Sequence, residues 1–126
     1  MRPSTRRMFF IAFAVISGVM LSSGPAAART PYDGNWSVSI WTDRGSCDRG
    51  YRYEIRVDNG KVSYRGEGSF HVTGRVDSNG RANVTVSHGE RRASGVGRLS
   101  RNSGRGSWKG KSAMSECSGT WEAERR

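Results

Sequence analysis

Hydrolytic chemistry needs a nucleophile, a base to take its proton and a group to orient that base. Ser94, Ser107 and Ser112 offer hydroxyls, yet none sits in a Gly-x-Ser-x-Gly turn, and the only histidines are His71 and His88. His71 has the parity opposite to Phe70 and Val72, which puts it on a solvated face; His88 reads as a turn residue. Paired carboxylates serve glycoside hydrolysis. Glu122 and Glu124 share one face of a segment, but that face reads as solvated, with Arg125 next to it. No phosphate-cradling glycine loop or dinucleotide fingerprint occurs. No catalytic residue is expected, and the chain reads as a non-enzyme.

Charge is the chemistry that remains. The chain carries 21 Lys+Arg against 11 Asp+Glu, a net +10, and its only lysines are Lys61, Lys109 and Lys111. An arginine-dominated surface favours oxyanions, because the guanidinium grips phosphate, sulfate or carboxylate in a two-pronged fork. Arg91, Arg92, Arg98, Arg101, Arg105, Lys109 and Lys111 follow one another with no acid among them. This stretch is the expected anion-binding surface, weighed about equally against a simple solvated face. Nucleic acid is not an expected partner, since the outer faces lack aromatic platforms for base stacking.

The elements that would position these residues begin after residue 28. Residues 1–28 read as a cleaved signal peptide: Arg2, Arg6 and Arg7, then an apolar run over 8–21, a Ser-Ser-Gly-Pro break and three alanines. Thr5-Arg6-Arg7-Met8-Phe9-Phe10 resembles the twin-arginine export pattern, but Ile11 and Ala12 stand where a lysine is customary, which favours the ordinary secretory route. The run is short for a bilayer span, and no second one follows. A periplasmic or secreted protein is expected, with one domain over 29–126. In such a compartment Cys47 and Cys117, the only cysteines, form a disulfide by default. Neither histidine lies at a zinc-finger spacing from a cysteine, so no metal site is expected.

The domain alternates apolar and polar residues with period two. Tyr51-Arg52-Tyr53-Glu54-Ile55-Arg56-Val57 puts four apolar residues on one face and three charges on the other. Eight short strands are expected near 35–42, 51–57, 62–66, 70–76, 82–87, 92–99, 106–110 and 118–124. Asn59-Gly60, Asn79-Gly80, His88-Gly89-Glu90 and Asn102-Ser103-Gly104 provide the turns. Short hairpins between neighbours make an antiparallel meander, expected to close as an up-and-down barrel, with a sandwich as the alternative. A disulfide after the first strand and before the last would make those strands neighbours. The later strands place glycines where bulky residues need room, so they are paired with Trp36, Trp108 and Trp121 across a thin core. Strands this short are expected to leave little cavity, with Tyr51, Tyr53 and Tyr64 filling the core.

Two resemblances follow from these residues. Gly34-Asn35-Trp36 resembles the Gly-x-Trp opening of calycin-type barrels, which implies a late arginine, Arg125 or Arg126, over the tryptophan. Tyr32-Asp33-Gly34-Asn35-Trp36, Gly45-Ser46-Cys47-Asp48, Gly104-Arg105-Gly106-Ser107-Trp108 and Cys117-Ser118-Gly119-Thr120-Trp121 resemble a group of small exported proteins of rhizobial-type bacteria. That group is mostly uncharacterised, and some members carry a haem-utilisation or adhesion label. It implies an exported β domain with one disulfide and no catalytic residues. Haem chemistry finds no Cys-x-x-Cys-His, only His71, His88, Met114 or a tyrosine as axial ligands, and no cofactor is expected.

The leading expectation is a monomeric, non-catalytic binding or surface module for an anionic glycan, lipid head group or extracellular polymer. A second is a periplasmic inhibitor or protein-binding barrel using the loop over 42–50. A third is a carrier, for haem or another small molecule, with a lumen lined by Trp36, Tyr53, Trp108 and Trp121.

Overall fold

In a computed structural model, which describes residues 29–126, the alternating segments form eight strands. They are β1 (Gly34–Arg44), β2 (Gly50–Asp58), β3 (Lys61–Tyr64), β4 (His71–Val76), β5 (Arg81–His88), β6 (Arg91–Leu99), β7 (Ser103–Lys111) and β8 (Glu116–Arg125). The expected export segment, with its twin-arginine and cleavage motifs, lies outside the described residues. Among the described residues there is no helix. Each strand pairs antiparallel with the next, and β1 pairs with β8, so the meander closes into a barrel. Closure leaves no edge strand except at one weak seam: β3 and β4 share the single register pair Lys61↔Arg75.

The period-two pattern sets the faces. Trp36, Val38 and Ile40 of β1, Tyr53, Ile55 and Val57 of β2 and Val84 and Val86 of β5 all point into the barrel. Arg52, Glu54 and Arg56 take the outer face by alternation along β2. An apolar interior within a charged exterior is the reverse of a membrane-spanning barrel, whose outer band is apolar.

One end is closed. Trp36 and Val57 are fully buried there, packed with Val62, Val76, Ala82, Leu99, Trp121 and Ala123. The β2–β3 turn has Asn59 at φ 55° and Gly60 at φ 81°, a pair of left-handed residues that fits the twist of a two-residue hairpin. Asp33 locks this turn to the chain ahead of β1. Its carboxylate accepts from the Thr30 hydroxyl (2.6 Å) and from the Asn59 and Gly60 amides (2.9 and 3.3 Å). Burial pushes the Asp33 carboxyl upwards, but these hydrogen bonds outweigh it and hold the group below its ordinary 3.8. The Trp36 indole donates to the Tyr32 carbonyl at 2.8 Å, and the Arg125 guanidinium covers the ring.

The glycine-rich strands make room for Trp121. In register, Gly97 faces Gly106, and Gly106 faces Trp121. A β-carbon on Gly97 would lie 2.5 Å from Trp121 Cζ2, and one on Gly106 would lie 2.7 Å from Cε2. The indole N–H is shared between the carbonyls of Val96 and Ser107, 3.2 Å from each.

Three local expectations are corrected. Ser103 and Gly104 belong to β7 and not to the turn, which is made by residues 100–102; Gly104 is small because the Leu99 side chain occupies the space a β-carbon would take. His88 ends β5 and pairs with Arg91, since Gly89 (φ 62°) and Glu90 suffice for the turn. The largest correction concerns the core. The open half of the barrel encloses a cavity of about 480 Å3. Its inward residues include Val38, Val84, Val86, Ala93, Gly95 and Gly110, and short side chains do not reach the axis of an eight-stranded barrel.

Candidate functional site

The cavity runs from a floor of Trp36, Val57, Leu99 and Trp121 to an open mouth. Its size falls within the range of small-molecule pockets, about 300–1,000 Å3. Val38, Ile40, Ile55, Val72, Val84 and Trp108 make the wall. Such a lining gives water few partners, and apolar cavities of this kind favour an apolar occupant.

The rim is polar and braced. The Cys47–Cys117 disulfide ties the β1–β2 loop to the start of β8 across 70 positions of sequence. In the chain-entropy account, a loop that long is worth about 4 kcal/mol. Thr42 fixes the same loop: its hydroxyl donates to the Asp48 carbonyl at 2.6 Å, and its amide donates to the Arg49 carbonyl at 3.0 Å. Over Gly119 of the intervening β8, the Trp108 indole donates to the Trp41 carbonyl at 2.9 Å.

One side of the mouth is an aromatic cluster. The Phe70 ring lies 5.4 Å from both Tyr53 and Tyr64, edge to face, and 4.8 Å from the His88 ring. Tyr51 stacks on Tyr53 at 5.7 Å. His88 Nδ1 lies 3.3 Å from the Ser69 hydroxyl oxygen. The Asp48 carboxylate beside the Tyr51 hydroxyl, with burial, raises that phenol above its ordinary 10. Burial, then the neighbouring Tyr51 and Tyr64, raises Tyr53. The Arg91 charge opposes both shifts.

Five of the seven basic residues read from the sequence, Arg92, Arg98, Arg105, Lys109 and Lys111, share the outer face of the paired strands β6 and β7, and Arg91 and Arg101 stand apart from them. Arg91 has inward parity, in line with Ala93 and Gly95, and lines the mouth. Arg92 and Lys111, opposite one another in register, reach the rim as well. Arg98 and Arg105 face each other on the outer wall nearer the closed end. Arg101 lies in the β6–β7 turn, where its carbonyl accepts from Arg125 Nε at 2.9 Å. Lys109 is on the outer face, in register with Ser94 and Ser118. Of the aromatic residues named for the lumen, Trp36, Tyr53, Trp108 and Trp121 all line it.

Sequence reasoning missed the mouth as a unit, with Asp48, Tyr51, His88 and Arg91 around one opening. A signal was present: carrying the parity of Ala93, Gly95 and Gly97 back two residues puts Arg91 inside. No family model matches this chain, and no curated protein or solved structure matches it either.

Proposed function

We propose that this protein is an exported, non-catalytic binding barrel that takes a small apolar molecule into its lumen. The observation that carries this reading is the cavity of about 480 Å3, apolar in its wall and open at one end. A core built only for stability would fill that space, since apolar voids cost stability. The braced rim supports the same reading, because a fixed mouth keeps the lumen preformed and lowers the ordering cost of binding. The test is titration with phenylnaphthylamine, a neutral fluorophore that brightens in apolar sites. Saturable one-to-one binding, with energy transfer from the lumen tryptophans, is the expected result. A signal that never saturates overturns the proposal.

A second reading rests on a separate observation. Arg81 faces Arg98, and Arg98 faces Arg105, in one row across β5, β6 and β7. Like charges directly opposite one another destabilise a sheet, and a bound polyanion would relieve them. This reading makes the outer wall a contact for an anionic glycan or lipid head groups. Retention on a sulfated-polysaccharide column that falls steeply with salt, and falls further in Arg98→Ala, supports it. Unchanged retention in that variant removes it.

A further inference from the structure

We infer that the ligand of the lumen is a single-chain amphiphile with an anionic head group, its chain inside the barrel and its head held at the mouth by Arg91. This inference rests on the lumen reading above and adds the chemical class of the ligand.

Arg91 stands at the top of an apolar column. It pairs with His88, and below them the inward pairs are Val86 with Ala93 and Val84 with Gly95. A guanidinium at the end of an apolar tube is what the head of an amphiphile meets once its chain is buried. Arg92 and Lys111 stand beside it on the rim. Against these three cations the mouth sets one lining carboxylate, Asp48, which lies against the Tyr51 hydroxyl. Glu90 and Glu116 sit farther out, adjoining Arg91 in the turn and opposite Lys111 in register. Among the described residues, none of the three cations is in an ion pair.

Desolvation then selects the ligand. Any molecule that fills the tube also strips water from the inward side of Arg91, and a buried charge without a partner is costly. A neutral alcohol returns little of that cost, and a cationic head adds repulsion. A carboxylate or a phosphate monoester repays it with a charge-assisted, two-pronged contact. The rim adds hydroxyl donors from Ser46, Ser112 and Ser115. Size argues for one chain. The six residue-to-residue rises from Thr42 down to Trp36 span a depth of roughly 15 Å along the axis of a tilted barrel. An eight-stranded barrel holds one small ligand across its width.

The experiment is displacement of phenylnaphthylamine from the purified protein at neutral pH by decanoate, decyl phosphate, decanol and decyltrimethylammonium. Decanoate or decyl phosphate is expected to bind about tenfold or more tightly than decanol, a gap typical of one charge-assisted contact, with the cationic chain weakest. Whichever anion binds tighter identifies the head group as carboxylate or phosphate. Arg91→Ala should close the gap between decanoate and decanol, weakening decanoate while decanol binds no worse because the desolvation cost goes with the guanidinium, and Arg98→Ala on the outer wall should preserve the gap. Arg91→Gln, which keeps length and polarity, serves should the alanine variant fail to fold. Equal affinity for decanol and the anions, or a gap that survives the loss of Arg91, overturns the head-group inference and leaves the lumen reading standing. Failure of the neutral fluorophore and of every chain to bind overturns both.

Discussion

The Arg125 guanidinium lies 4.7 Å above the ring of Trp36 and closes one end of the barrel. Its three nitrogens are all spent on backbone carbonyls: Nη1 on Asp33 at 2.7 Å, Nη2 on Pro31 at 2.6 Å and Nε on Arg101 at 2.9 Å. One side chain therefore joins the segment ahead of β1, the β6–β7 turn and the last strand, over a fully buried residue of the core. A planar fork is required for this, and lysine has none. Arg125→Lys should cost about 2 kcal/mol, through lost charge-assisted bonds and weaker contact with the ring. Arg125→Ala should cost about 3 kcal/mol, because it also uncovers Trp36. Urea denaturation followed by tryptophan fluorescence checks both. Phenylnaphthylamine affinity should not move, because the cavity opens at the other end.

Trp121 and the glycines facing it form one steric unit. Gly97→Ala puts a methyl group into the indole and against the backbone of β7. The expected loss is about 1–3 kcal/mol, the usual cost of overpacking. Trp121→Phe should cost about as much, since it empties space and leaves the Val96 and Ser107 carbonyls without their donor. The double variant should lose less than the two single losses combined, because phenylalanine vacates the space that the alanine methyl needs. Thermal melts of the four proteins measure the coupling, and simple additivity would refute the shared contact.

Most of this architecture was legible from residue types alone. Alternation in residues 51–57 gave the faces of β2, Asn59-Gly60 gave a hairpin turn, and the two cysteines gave the neighbours across the closure. These are local signals, or constraints that act regardless of packing. The lumen was not legible, because an inward Val84 or Gly95 reads the same whether the opposite wall touches it or stands across a void. That difference depends on barrel diameter, which follows from strand number and stagger taken together. The same alternation divides the arginine stretch. Seven cations with no acid among them lie on two adjacent strands and a turn, and alternation sends Arg91 inward while Arg92, Arg98, Arg105, Lys109 and Lys111 go outward.

Asp33 makes the closed end sensitive to acid. Its folded-state pKa lies below the ordinary 3.8, so folding favours the ionised carboxylate. The stabilisation is complete above about pH 4, where the unfolded carboxyl is also ionised, and is lost as pH falls through the folded value. Asp33→Asn should lower stability at neutral pH and flatten the fall in stability below pH 4. Urea midpoints taken from neutral pH down to about pH 2.5 test this. An acid limb as steep in the variant as in the parent would assign it to other carboxylates, Asp77 first. The Arg81 and Asn79 amides, 3.0 and 2.8 Å from its side chain, also hold Asp77 below its ordinary value.

Val84 offers the sharpest separation of binding from folding. It points into the lumen between Gly74 and Gly95, its register partners on either side, so nothing larger than hydrogen flanks it along the sheet. A phenylalanine there extends towards the axis into the cavity rather than into a neighbouring side chain. Filling an apolar void with apolar atoms commonly gains about 0.5–2 kcal/mol, so Val84→Phe should melt no lower than the parent protein. The same ring occupies the space that a ligand chain needs, and phenylnaphthylamine and decanoate affinities should each fall at least about tenfold, the equivalent of 1.4 kcal/mol of lost binding. The combination matters more than either value. A stable barrel that no longer binds means that the space itself is the site, since Val84 bears no polar atom through which it could have held a ligand. A stable barrel that binds as before would move the site from the lumen to the outer wall, where the row Arg81, Arg98 and Arg105 stands.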